Sequence, residues 1–136
     1  MTVTDPHEDA RQAFLRELGA GGTRRHFRPG EALFLEGDRS DRMMLIERGS
    51  VKVTGSHGES DAMLAVCGPG ELLGEMSTLD GAPRSATATA LGEVEATVIP
   101  AGELQRVLRS NPDAALALLR IVAGRLRDVD RKWLEF

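Results

Sequence analysis
The spacing of apolar residues along the chain changes character twice. Over residues 7–19, Ala10, Ala13, Phe14, Leu15 and Leu18 recur at helical intervals among charged neighbours, which predicts a short amphipathic helix. Gly19, Gly21 and Gly22 bring it to an end. From Arg24 to about Pro100 the apolar positions fall into short β-type runs: His26–Arg28, Ala32–Leu35, Met43–Glu47, Val51–Thr54, Met63–Val66, Ser85–Leu91 and Val94–Ile99. Pro-Gly, Glu-Gly-Asp, Arg-Gly-Ser and Gly-Pro-Gly segments separate them, the punctuation of tight turns between antiparallel strands. Ser85 to Ala90 alternates polar and small apolar side chains, as a strand with two unlike faces does.

After Pro100 the period becomes helical. Leu104, Val107 and Leu108 mark one short helix. Asn111 then caps a second, Pro112 suits its first position, and Asp113 complements its positive end. Along this last helix Ala115, Leu119, Val122, Leu126, Val129, Trp133 and Phe136 step by four and three alternately, a heptad seam. Leu116, Leu118 and Ile121 lie to its side, where they can pack on the strands. The seam either pairs with a second copy in a parallel two-fold homodimer, the reading favoured, or lies on its own barrel.

These patterns predict an α+β domain: an antiparallel β-barrel or jelly roll (a double-stranded β-helix) carrying a short N-terminal helix, an inserted helical turn and C-terminal helices. Its parts are an N-terminal helix and glycine-rich linker at 1–23, the barrel at 24–100, and C-terminal helices at 101–136. Composition narrows the class. With 136 residues, 41% of them hydrophobic and 28% charged, the chain suits one soluble domain with its own core. A net charge of −4 gives no bulk attraction for nucleic acid. The single cysteine, Cys67, forms no internal disulfide, which fits a reducing cytoplasm, and its apolar run before Gly68-Pro69-Gly70 reads as a buried small hydrophobe. The acidic N-terminus does not read as a signal peptide, and no apolar stretch is long enough to cross a bilayer.

The segment Gly68-Pro69-Gly70-Glu71-Leu72-Leu73-Gly74-Glu75-Met76-Ser77-Thr78-Leu79-Asp80-Gly81-Ala82-Pro83-Arg84-Ser85-Ala86-Thr87 carries the chemistry. It reads as a turn, one helical turn beginning near Glu75, a stop at Gly81, and an arginine entering a strand. Free N–H groups at a helix start, glycines that let a ligand approach the backbone, the planar fork of Arg84 and the hydroxyl of Ser85 together suit an anion. Glu75 is the odd member, since a carboxylate repels an isolated phosphate. A ribose hydroxyl beside the phosphate supplies the donor it needs, as in dinucleotide sites. Phosphate with a free 2′-hydroxyl is a nucleotide signature. Turn chemistry with a surface ion pair is the other reading the residues leave open.

Taken together, Phe27-Arg28-Pro29-Gly30-Glu31, Glu36-Gly37-Asp38, Leu45 to Val53 around Arg48-Gly49-Ser50, Gly70-Glu71, Gly74-Glu75-Met76 and Pro83-Arg84-Ser85-Ala86 resemble one family over residues 24–136. It is the cyclic nucleotide-binding domain shared by catabolite activator (cyclic AMP receptor) proteins, cyclic nucleotide-dependent kinases and gated channels. The resemblance implies that Arg84 and Ser85 bind the cyclic phosphate, that backbone groups of Gly74 and Met76 assist, and that Glu75 accepts from the ribose 2′-hydroxyl. Serine after the cassette arginine accompanies cyclic AMP in bacterial receptors; its hydroxyl leaves cyclic GMP disfavoured rather than excluded. The same resemblance makes the C-terminal helix a lid over the base. Val129 and Asp130 then stand where catabolite activators carry hydroxyl residues. Val129 cannot hydrogen-bond, whereas Asp130 can accept from adenine N6 or guanine N2. Trp133 can stack on the base, though its heptad position favours a dimer core.

No enzyme is expected. His7, His26 and His57 lie in a terminus, a strand and a loop, without ligand spacing or a nucleophile and base pair. Catabolite-activator relatives continue into a helix-turn-helix where this chain stops at Phe136, so direct DNA binding by these residues is not expected. The expected role is a cytoplasmic receptor that binds a cyclic nucleotide, needs no cofactor and passes its signal to an unidentified effector protein. The remaining alternatives are the sensor portion of a transcriptional regulator and a barrel that has lost its ligand and serves as an interaction module.

Overall fold
The computed structural model describes residues 5–57 and 60–134, with side chains at 5–56 and 62–128. The chain opens with helix α1 (Pro6–Ala20), started by Asp5, whose side chain accepts from the backbone N–H of His7, with Pro6 at the first position. Strands β1 (Thr23–Phe27), β2 (Ala32–Phe34), β3 (Arg42–Arg48), β4 (Val51–His57), β5 (Ser60–Cys67) and β6 (Leu72–Leu73) follow. Then come the short helix α2 (Glu75–Asp80), β7 (Thr87–Ala90), β8 (Val94–Pro100), α3 (Ala101–Ser110) and α4 (Pro112–Leu134). Among the described residues the strands form two antiparallel four-stranded sheets, ordered β1-β8-β3-β6 and β2-β7-β4-β5. This is the α+β jelly roll that the turn spacing predicts.

Two apolar cores flank one sheet. Between the sheets lie Phe27, Leu33, Met44, Ile46, Val51, Leu73, Ala88, Val94 and Ala96. On the outer face of the first sheet, α1, α3 and α4 bury Phe14, Leu15, Leu18, Met43, Leu45, Leu72, Ile99, Leu104, Val107, Ala114, Ala117 and Leu118. Strand β3 therefore faces apolar surroundings on both sides: Met43 and Leu45 meet the helices, Met44 and Ile46 the sandwich. That double burial explains its unbroken apolar run, which a half-solvated strand would not have.

The last helix departs from the heptad expectation in its phase. Ala114, Ala117, Leu118, Ile121 and Val122 pack on the chain's own core, so Val122 of the expected seam faces inward. Leu116, expected against the barrel, is half-exposed beside the more exposed Leu119 and Leu126. The cause is composition: in Ala114-Ala115-Leu116-Ala117-Leu118-Leu119 nearly every position is apolar, and spacing alone does not choose the stripe. Side chains from Val129 onward, Asp130, Trp133 and Phe136 among them, lie outside the described residues. No helix of the described residues is long and apolar enough to cross a membrane.

Phe14 is 2% exposed and joins α1 to the helix-side core. Replacing it with alanine removes a whole ring from that layer, so Phe14→Ala is expected to cost about 3–5 kcal/mol in equilibrium urea unfolding.

Candidate functional site
The site begins where β6 passes into α2. Gly74 holds a φ of 83°, in the left-handed region. A Cβ there would collide with the Arg84 guanidinium. Glycine is thus required by its own backbone and by its neighbour. After α2, Gly81 turns the chain with a φ of 73°, and residues 82–83 lead back to Arg84. The Arg84 backbone is clasped by the turn after β2: its N–H donates to Asp38 O at 2.9 Å, and its carbonyl accepts from Gly37 N–H at 2.8 Å.

From that anchored backbone the side chain runs inward and is 3% exposed. Its Nη1 donates to Gly74 O at 3.0 Å and to Ser77 Oγ at 3.1 Å, and its Nη2 donates to Arg42 O. The guanidinium carbon lies 4.4 Å from the centroid of the Phe34 ring. Burial lowers the Arg84 pKa from its ordinary value, with Asp41 the leading opposing influence. An arginine so shifted still carries its charge. A guanidinium has five N–H donors, and the bonds above occupy three. Nε, buried, makes no hydrogen bond among the described residues.

Glu75, the first residue of α2, is fully buried. One carboxylate oxygen, Oε1, accepts from Nη1 of Arg125 on α4; the other, Oε2, has no hydrogen-bond partner among the described residues. Arg125 also donates through Nη2 to Leu72 O, so a single side chain ties α4 to both sides of Gly74. Sequence reasoning did not single out Arg125. The signal was there, because Arg125 stands four residues after Ile121 and seven after Leu118, on the helix stripe that packs inward.

These groups border a cavity of about 360 Å³, a volume typical of small-ligand sites. Gly74, Glu75, Met76, Arg84 and Ser85, all expected from sequence, line it together. Phe34, Val53, Leu73 and Ala86 give it an apolar wall, and Arg125 and Asp128 reach it from α4. The carboxylate that α4 contributes among the described residues is thus Asp128, while the expected Asp130 and Trp133 fall outside them. Cys67 lies on the same wall, and burial is the leading cause of the upward shift of its thiol pKa. A larger groove of about 620 Å³ between α1 and α4 shares Arg125 and Asp128. It has no buried polar atom without a partner among the described residues, so it offers less to a specific ligand.

Known proteins agree with this architecture. The family described as "Cyclic nucleotide-binding domain" matches residues 24–111. Over 108 residues the chain is 36% identical to the cyclic AMP receptor protein of Thermus thermophilus, covering 79% of this chain and 50% of that protein. Over 102 residues it is 33% identical to the CRP-like cAMP-activated global transcriptional regulator of Mycobacterium tuberculosis, covering 74% and 46%. The solved N-terminal domain of a transcriptional regulator from Streptomyces coelicolor A3(2) superposes with a TM-score of 0.68 at 42% identity, over 90% of this chain and 86% of that one. The chain spans about half the length of the curated relatives it matches.

Two outcomes test the geometry. Gly74→Ala forces a left-handed alanine and a clash with Arg84, and is expected to cost about 1–3 kcal/mol in chemical unfolding. The folded Cys67 thiol holds its proton more tightly than the unfolded one. Its contribution to stability is therefore complete below the ordinary thiol pKa of 9.0 and is lost as pH rises from there towards the folded value. Titration of thiolate absorbance should give a native midpoint above 9.0.

Proposed function
The chain belongs to the cyclic nucleotide-binding domain family, and from that premise we propose that it is a receptor module for a purine 3′,5′-cyclic monophosphate, cyclic AMP foremost. One observation carries the reading. Two buried polar atoms of residues that line one cavity lack partners among the described residues: a donor, Arg84 Nε, and an acceptor, Glu75 Oε2. Buried polar groups are nearly always paired, so an orphaned donor and acceptor in one hollow call for a ligand bearing an acceptor and a donor. A ribose cyclic phosphate presents a phosphate oxygen to the first and a 2′-hydroxyl to the second. Ser85 adds a hydroxyl on the same wall.

Cyclic AMP is favoured because the two curated relatives described above, from Thermus thermophilus and Mycobacterium tuberculosis, are named for it. On the α4 side Asp128 is an acceptor, which suits an exocyclic amino group; adenine and guanine both carry one. Ligand binding would reach α4 through Glu75, whose other oxygen already holds Arg125. A change in ligand occupancy then biases the position of that helix, provided its contacts differ between the two states. The half-exposed Leu116 and the exposed Leu119 and Leu126 leave α4 an apolar flank for a homodimer. A second reading, the sensor portion of a transcriptional regulator, is supported by the 86% coverage of the Streptomyces coelicolor regulator domain.

Calorimetric titration with cyclic AMP and cyclic GMP tests the proposal. The wild type should bind cyclic AMP more tightly, and Arg84→Ala should weaken that binding by roughly tenfold to a hundredfold or more. Wild-type protein indifferent to both nucleotides at millimolar concentration overturns the receptor reading. Hydrogen exchange in α4 should change when cyclic AMP is added; unchanged exchange there overturns the helix coupling.

A further inference from the structure
One hydroxyl of α2, that of Ser77, bonds the Arg84 guanidinium directly. We infer that Ser77 is a positioning residue for phosphate recognition, fixing which edge of the Arg84 guanidinium faces the cavity; this rests on the receptor reading above. Ser77 is buried, and its Oγ accepts from Arg84 Nη1 at 3.1 Å. The same oxygen approaches Gly74 O at 3.4 Å as donor, while that carbonyl takes the other Nη1 bond at 3.0 Å. Nη1 therefore has both of its hydrogens spoken for, one by Ser77 and one by Gly74.

The next residue closes the cage. Thr78 Oγ1 donates to Arg42 O at 3.1 Å, the same carbonyl that accepts from Arg84 Nη2. With Nη1 saturated and Nη2 half-used, the donors left are Nε–H and one N–H of Nη2. Adjacent nitrogens of a planar fork can grip two phosphate oxygens at once. Without the Ser77 acceptor, Nη1 has one hydrogen unassigned in a buried site, and the plane is free to turn that hydrogen towards the cavity instead. Ser77 acts through Arg84, so its signature is discrimination at the phosphate, with the ribose contact at Glu75 left alone.

The experiment compares wild type, Ser77→Ala and Ser77→Thr. Each is titrated with cyclic AMP, its two phosphorothioate diastereomers, and 2′-deoxy cyclic AMP. Nitrogen-15 NMR of the ligand-free proteins follows the Arg84 side-chain resonances. Ser77→Ala is expected to lose roughly tenfold in cyclic AMP affinity and to bring the two diastereomer affinities towards equality, with the 2′-deoxy penalty unchanged. Ser77→Thr, which keeps the hydroxyl, should restore the diastereomer preference. In NMR the restricted rotation of the Arg84 Nη groups should be lost in Ser77→Ala and kept in Ser77→Thr. A Ser77→Ala protein with wild-type diastereomer preference, or with unchanged Arg84 resonances, overturns the inference, as does a 2′-deoxy penalty that falls with it. A wild type that ignores every nucleotide sinks the receptor reading, and with it a phosphate role for Ser77; the NMR arm still reports separately whether Ser77 holds the guanidinium.

Discussion
A buried guanidinium surrounded by neutral acceptors governs this structure. Arg84 donates to two main-chain carbonyls and a hydroxyl and lies over an aromatic ring, without a carboxylate bonded to it among the described residues. Carbonyl dipoles keep such a cation inside the protein but do not cancel its charge. The carboxylates that act on it, Asp41 foremost, do so from a distance, and the residue lines the cavity. Several local features accommodate it. Gly74 has no Cβ where the guanidinium passes, and the turn at Gly37 and Asp38 holds the arginine backbone from both sides.

Glu75 supplies the opposite charge, and it is spent on a different partner. Its bond to Arg125 belongs to a helix that also packs on the sheet, so the acid is at once part of the cavity wall and a fastening for α4. Because the carboxylate has two oxygens, the fastening and a ligand hydroxyl need not exclude each other. The cavity wall and α4 thus share one carboxylate.

Much of this was legible in the residues. The switch from short runs to helical spacing located the barrel and its flanking helices, and the segment from Gly68 to Thr87 located the cavity wall once its family resemblance was added, because turn glycines and an acid near an arginine also suit turn chemistry with a surface ion pair. The parts that escaped did so for physical reasons. Strand β6 has two residues and so no period to detect. The phase of α4 was ambiguous in a run of alanine and leucine, and with it the side to which Arg125 belongs. Leu64 falls at the register break between β4 and β5, where simple alternation fails.

Leu72 and Leu73 face opposite ways, one into the helical layer and the other into the sandwich, and Gly74 comes next in the chain. The cavity wall is thereby moored to both hydrophobic interiors by consecutive residues. Loosening either interior disturbs the same two anchors, so this wall has no private hinge on which to swing open. Across the cavity the tie is of another kind: Arg125 fastens α4 to this wall by hydrogen bonds to Glu75 and Leu72, while the apolar packing of α4 lies further back along the helix.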